Sequence, residues 1–240
     1  MKPTFILPSP ETGTDYVLFV NVPPGPGPWP AVLGMDGDFV FSDRVDLGPA
    51  LAATPVLFVG VGYGAGFGSP ANRRGRDYTP VAHGDEPGSG GADAFLKFLM
   101  ATLWPELARR YPIDPARRGI AGHSLGSLLV LHALFQPRPF FTHFLASAPS
   151  IWWADRAILG QAAALRARQS HLPGRLFLSV GENDSESMTA DLTLLETQLA
   201  AQPFAGLDID SRRFPDRNHY DVVPDAYATG LKALFGPKSD

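Results

Sequence analysis

Residues 120 to 135 read IAGHSLGSLLVLHALF, and within them Gly122-x-Ser124-x-Gly126 has the spacing of a turn that presents a nucleophilic serine. A serine hydroxyl attacks a carbonyl only when a base takes its proton, so the chemistry also requires an imidazole and a group that orients it. The string alone is weak in a chain with 25 glycines among 240 residues. Serine at this place also suits a helix start. Context carries the reading: RGIAG before it has the pattern of a strand, LGSLLVLHALF after it that of a helix. Gly122, Gly126 and Ser127 leave room for the backbone to cross itself.

Six histidines compete to be the base. Where such a turn sits above a mostly parallel sheet, the acid and then the histidine follow the serine in the chain, which sets aside His83 and His123. His132 falls in a helical run, His143 at a strand start, and His171 ahead of any strand able to deliver the acid. His219, in FPDRNHYDVVP between the last strand pattern and the last helix pattern, is the candidate base. The acid belongs at the carboxyl end of the preceding strand, RLFLSV, where sites on open sheets gather. The loop there, GENDSESM, offers Glu182, Asp184 and Glu186, and Asp155 after an earlier strand is a remoter rival. Asp184 is the choice, because Gly181 allows a sharp turn and the following residues let a carboxylate fold back. Two backbone N–H groups are expected to face the developing oxyanion, one from Leu125 and one from Asp38 in GMDGDF, where Gly37 permits the turn.

Strand patterns fall at 16–22, 30–35, 55–62, 118–122, 142–148, 175–180 and 207–214. Several are continuous apolar runs, which suits strands covered on both faces. Helical patterns lie between them: Phe95, Leu99, Leu103 and Leu107, then Leu125 to Phe135, Ala157 to Arg168, Thr189 to Ala201 and Asp225 to Phe235, with Pro105 interrupting the first. The alternation predicts an α/β fold, a mostly parallel sheet between helices. There is no internal repeat. PPGPGPWP, at 23–30, reads as a connection between strands within one domain spanning 1–240.

A formal net charge of −4 without a basic run argues against nucleic acid or an anionic membrane as partner. No apolar segment has the length of a signal or membrane span, so a cytoplasmic, soluble protein is expected. With no cysteine there is neither disulfide nor thiolate metal site. Gly66 to Ala71 fits a loose dinucleotide pattern, but RRGRDYTP after it shows no helix to hold a pyrophosphate. Phosphate-loop and zinc-protease strings are absent.

The strings MDGDFVF, RGRDYTP, GGADAFLKFL, ARRYPIDPARRGIAGHSLGSLLVLHALF, SAPSIWW, SVGEND and NHYDVVP resemble the bacterial putative-esterase family that includes the siderophore esterases, enzymes that hydrolyse enterobactin-like and bacillibactin-like trilactones. The resemblance runs from about residue 30 to 235. It implies an α/β-hydrolase fold without cofactor or metal, with Ser124 as nucleophile, His219 as base, and the acid three residues after a glycine, the place of Asp184. Ser127 departs from relatives that carry a second glycine there. The oxyanion loop is also similar to that of mycolyl-transferase enzymes, which keeps acyl transfer as a rival to hydrolysis; an inactive ligand-binding homologue is a further one.

For the substrate, expected to be a small ester, the cluster Arg73, Arg74 and Arg76 offers cations, of which Arg73 and Arg76 are the candidates to hold an anionic or catecholate group. Of the neighbours Trp152 and Trp153, one ring is expected to fill the core and the other, Trp152, to stack on the substrate. The sequence leaves the natural ester and the oligomeric state open.

Overall fold

The computed structural model describes residues 2–236. Eight strands form one sheet: β1 (Phe5–Ser9), β2 (Thr14–Asn21), β3 (Trp29–Gly34), β4 (Leu57–Gly62), β5 (Ile113–His123), β6 (His143–Ser147), β7 (His171–Gly181) and β8 (Ala205–Phe214). Their order is β1-β2-β4-β3-β5-β6-β7-β8. The β1–β2 and β2–β4 pairings are antiparallel and the rest parallel. The helices are α1 (Gly37–Val40), α2 (Gly48–Ala53), α3 (Arg74–Asp77), α4 (Ala92–Phe98), α5 (Trp104–Arg110), α6 (Leu125–Leu134), α7 (Trp153–Arg168), α8 (Glu186–Ala201) and α9 (Val222–Phe235).

Side chains alternate across a strand, and here that alternation builds two cores. Leu57, Val59 and Val61 of β4, with Leu176 and Leu178 of β7, pack on one face with Phe95, Leu107, Leu128, Leu165 and Leu192 from the helices. Phe58 and Phe177, between them in sequence, pack on the other face with Val40, Leu51, Tyr227 and Leu231. Burial on both faces is why β4 reads LFVGVG without a polar break. Each large side chain so buried contributes about 1.5–3 kcal/mol.

All seven strand patterns are present as strands. β1 is additional: carrying Pro8 and alternately exposed, it lacks the apolar run that marks the interior strands. After α4 the chain widens into a π-helical stretch at Leu99–Leu103, and Pro105 sits in the first turn of α5, where its missing N–H is tolerated. In α7, Ala154, Asp155 and Arg156 hold φ of 46°, 53° and 63°, so the right-handed helix starts at Ala157, where the periodicity places it. The expectation that no helix follows the Gly66–Ala71 run needs correction, since α3 forms there, though it is a single turn.

Candidate active site

Ser124 stands between the end of β5 and the start of α6 with φ 59° and ψ −123°, a backbone state costing a non-glycine residue about 1–3 kcal/mol. The surroundings hold it there. Its N–H donates to the Ser147 carbonyl at 3.0 Å, and its carbonyl accepts from the N–H groups of Ser127, Leu128 and Ser150 at 3.0, 3.2 and 3.3 Å. A β-carbon on Gly122 would overlap the Gly126 carbonyl, so only glycine lets strand and helix approach this closely. Ser127 is more than a tolerated small residue. Its buried Oγ lies 2.7 Å from the Gly122 carbonyl and 2.6 Å from the Ser147 carbonyl, bracing the ends of β5 and β6.

His219 lies in the loop between β8 and α9, and its Nδ1 is 2.8 Å from Asp184 Oδ2. The Asp184 side chain is only 3% exposed, and its other oxygen accepts the Ser185 N–H at 2.7 Å. The loops are fastened to each other by Glu182 N–H to the Phe214 carbonyl and Asn183 N–H to the Arg217 carbonyl, both 2.9 Å. The rivals Glu182 and Asp155 are exposed and make no side-chain bond to the histidine.

The His219 ring is 4.5 Å from that of His123, the residue before Ser124, so the loops of Asp184 and His219 reach the Ser124 turn. Ser124 Oγ lies 3.4 Å from Ser150 Oγ, and this, rather than His219, is its hydrogen-bond partner among the described residues. His123 is buried, with Nδ1 3.2 Å from Ser147 Oγ and Nε2 without a partner among the described residues. Burial, with His219 and Arg74 nearby, drives its pKa well below the usual imidazole value, so it stands neutral beside the site.

Asp36 begins α1 in a left-handed conformation (φ 56°), its N–H donating to Tyr78 Oη at 2.9 Å and its carboxylate clasped by Arg74 Nε and Nη2 at 2.9 and 3.0 Å. Asp38 follows in the first turn, and Leu125 opens α6; both N–H groups belong to first turns that have no intrahelical acceptor. The Asp38 carboxylate turns away toward β4, accepting the Tyr63 N–H at 2.5 Å.

Among the residues expected at the substrate, Trp152 is 43% exposed, while Trp153 is buried with Nε1 donating to the Val81 carbonyl at 2.9 Å. Arg73 is exposed. Arg76 makes the alternative pairing with its neighbour: its guanidinium binds Asp77 at 2.7 Å and Thr14 Oγ1 at 2.8 Å, tying α3 to the β1–β2 hairpin. Arg74, not among those candidates, is the cation that holds the Asp36–Asp38 turn through Asp36. Ser150 and His123 also stand beside Ser124, and their adjacency to the elbow in SAPS and GHS is the only local signal they carry.

The family model described as "Putative esterase" matches residues 9–219. The siderophore triacetylfusarinine C esterase of Aspergillus fumigatus is 36% identical over 169 residues, 64% of this chain and 58% of its own. The ferri-bacillibactin esterase BesA of Bacillus subtilis is 27% identical over 247 residues, 92% of this chain and 85% of its own. Among solved structures, the BES protein from Bacillus cereus superposes with a TM-score of 0.83 at 25% identity, covering 98% of this chain and 95% of that one. Siderophore hydrolase EstB from Aspergillus nidulans does so with 0.82 at 23%, covering 97% and 94%, which places the sheet and helices in the α/β-hydrolase fold.

Proposed function

The chain belongs to the Esterase family, and from that premise we propose that it is a serine carboxylic-ester hydrolase working through an acyl-enzyme, with siderophore-type esters as its substrates. The observation that carries the reading is the strained Ser124 turn lying against a loop whose histidine is bonded through Nδ1 to a buried carboxylate at 2.8 Å. With Nδ1 engaged by Asp184, Nε2 is the nitrogen left to accept the Ser124 proton. In this mechanism Ser124 Oγ leaves Ser150 Oγ to donate to the imidazole, a contact that completes the site on binding. The serine attacks the ester carbonyl, the N–H groups of Leu125 and Asp38 take the oxyanion, and the imidazolium protonates the departing alcohol. Water, deprotonated by the same imidazole, then releases the acid. The likeness to esterases named for siderophores supports the substrate class; Trp152, exposed beyond β6, offers the ring for an acyl group.

A fluorophosphonate probe read by intact mass tests the nucleophile. One adduct is expected, absent in Ser124→Ala, together with a loss of ester turnover of about 10⁴-fold or more. Labelling that survives the substitution would refute the assignment. Product analysis with an added alcohol separates hydrolysis, which yields free acid, from acyl transfer, which yields a new ester.

A further inference from the structure

Two hollows on the rim of the site share Phe39, Arg44 and Phe67 and form one groove. The part of about 290 Å³ runs along the Asp36–Asp38 turn, and the part of about 520 Å³ continues to Arg217, Tyr220 and Asp221 on the loop that carries His219. The combined space suits a small-molecule ligand. Phe39 and Phe67 make one apolar wall, their rings 5.2 Å apart. At the far end Tyr220, 62% exposed, sets its ring edge-on to His219 at 5.3 Å. The groove therefore runs past the expected oxyanion donor to Tyr220, whose ring touches that of the candidate base.

Its charges are almost all committed. Arg217 Nε pairs with Asp225 Oδ2 at 2.6 Å, and the Asp36 carboxylate is held by Arg74. Asp38 accepts the Tyr63 N–H, and burial pushes its carboxyl above the usual range. Asp221 accepts from Asn218 Nδ2 at 2.5 Å. Arg44 alone among these is exposed with no ion-pair partner among the described residues. Four carboxylates and two guanidinium groups thus line the groove, with Arg74 behind Asp36, in a chain whose own net charge is −4. A polyanion entering here gains one cation and meets several acids, whereas a ligand with one carboxylate or phenolate is matched by Arg44.

We propose that the groove seats an ester carrying no more than one negative charge on its acyl portion, with Arg44 as the specificity-determining contact, and that polyanionic esters, highly charged metal complexes included, are disfavoured. This rests on the hydrolase reading above and names the charge class of its substrate.

The test compares three p-nitrophenyl esters: butyrate, which is neutral, the glutarate monoester, with one charge, and the tricarballylate monoester, with two. The expected order of kcat/KM places glutarate above butyrate by about three- to tenfold at low salt, with tricarballylate below glutarate. The glutarate preference shrinks toward parity at roughly 0.5 M NaCl and in Arg44→Gln, and returns in Arg44→Lys. Fastest turnover of tricarballylate, or a glutarate-to-butyrate ratio unmoved in Arg44→Gln, overturns the charge assignment while leaving the hydrolase intact. No turnover of any ester, with no fluorophosphonate label on Ser124, overturns the hydrolase reading and this proposal with it.

Discussion

The Ser124 turn and the loops that carry Asp184 and His219 meet but are built in different ways. The elbow lies deep in the sheet, with β5 flanked by β3 and β6, and its backbone is fixed by hydrogen bonds and by close contact between Gly122 and Gly126. Asp184 and His219 come from loops after β7 and β8, and β8 is an edge strand, with side chains that are half-buried or exposed. Gly181 permits a close approach here too, since a β-carbon would overlap the Arg217 carbonyl, but the partner is a loop and not a packed helix. On the proposed mechanism the strained half, braced by strand and helix, presents the nucleophile, and the half held by loops handles the proton.

The largest effect falls on the half held by loops. Asp184→Asn keeps the shape while removing the carboxylate that the proposed mechanism uses to hold the His219 tautomer, and kcat toward p-nitrophenyl esters is expected to fall by about 10²- to 10⁴-fold. Glu182→Gln, in the same loop but exposed, is expected to stay within about twofold of the parent. Equal losses from the two substitutions would mean that the acid is not specifically Asp184.

Next come the glycines, which separate the halves by the kind of damage. Gly122→Ala forces strand against helix with nowhere to relax, at a cost of about 2–3 kcal/mol and roughly 5–10 °C in Tm. Gly181→Ala is expected to push the Arg217–His219 loop aside, lowering Tm less while lowering kcat by about tenfold or more. Thermal melts beside kcat decide it. A Gly181→Ala protein that loses as much Tm as Gly122→Ala would show the two halves to be equally rigid.

The same contrast governs what could be read from the residues alone. The elbow is legible because strand, turn and helix are contiguous, so its steric demands appear as Gly122, Gly126 and Ser127 within a short string. Asp184 and His219 are 35 positions apart, and their pairing had to be inferred from where a parallel sheet delivers its loops. The arginines resisted reading for a geometric reason. In a single helical turn, residues two apart point in nearly opposite directions, so Arg74 reaches Asp36 at the site while Arg76 reaches the β1–β2 hairpin. Nothing in the string RRGRD reveals which face is which. Arg44 was invisible for a similar reason, since only the folded turn after α1 brings it to the groove.

The smallest expected effect lies away from both halves and isolates stability from catalysis. His143 opens β6, at the end of the strand opposite Ser147 and the site, with its ring stacked on Phe235 at 4.5 Å. Burial, with Arg175 and Arg117 nearby, pulls its pKa from the usual 6.5 to about 4. As pH falls from 6.5 to 4, the unfolded chain takes up a proton at this position that the folded chain refuses, so stability drops across that window and levels off below it. The cost is about 1–2 kcal/mol once solvent screening of a partly open ring is allowed for. Urea midpoints at pH 7.5 and 4.5 measure it, with His143→Gln as control, because the other titrating groups are common to both proteins. The control is expected to lose less stability on acidification, with Ser124 labelling at neutral pH unchanged. An identical acid loss in both proteins would assign the sensitivity elsewhere, and altered labelling would mean that this end of β6 communicates with the elbow after all.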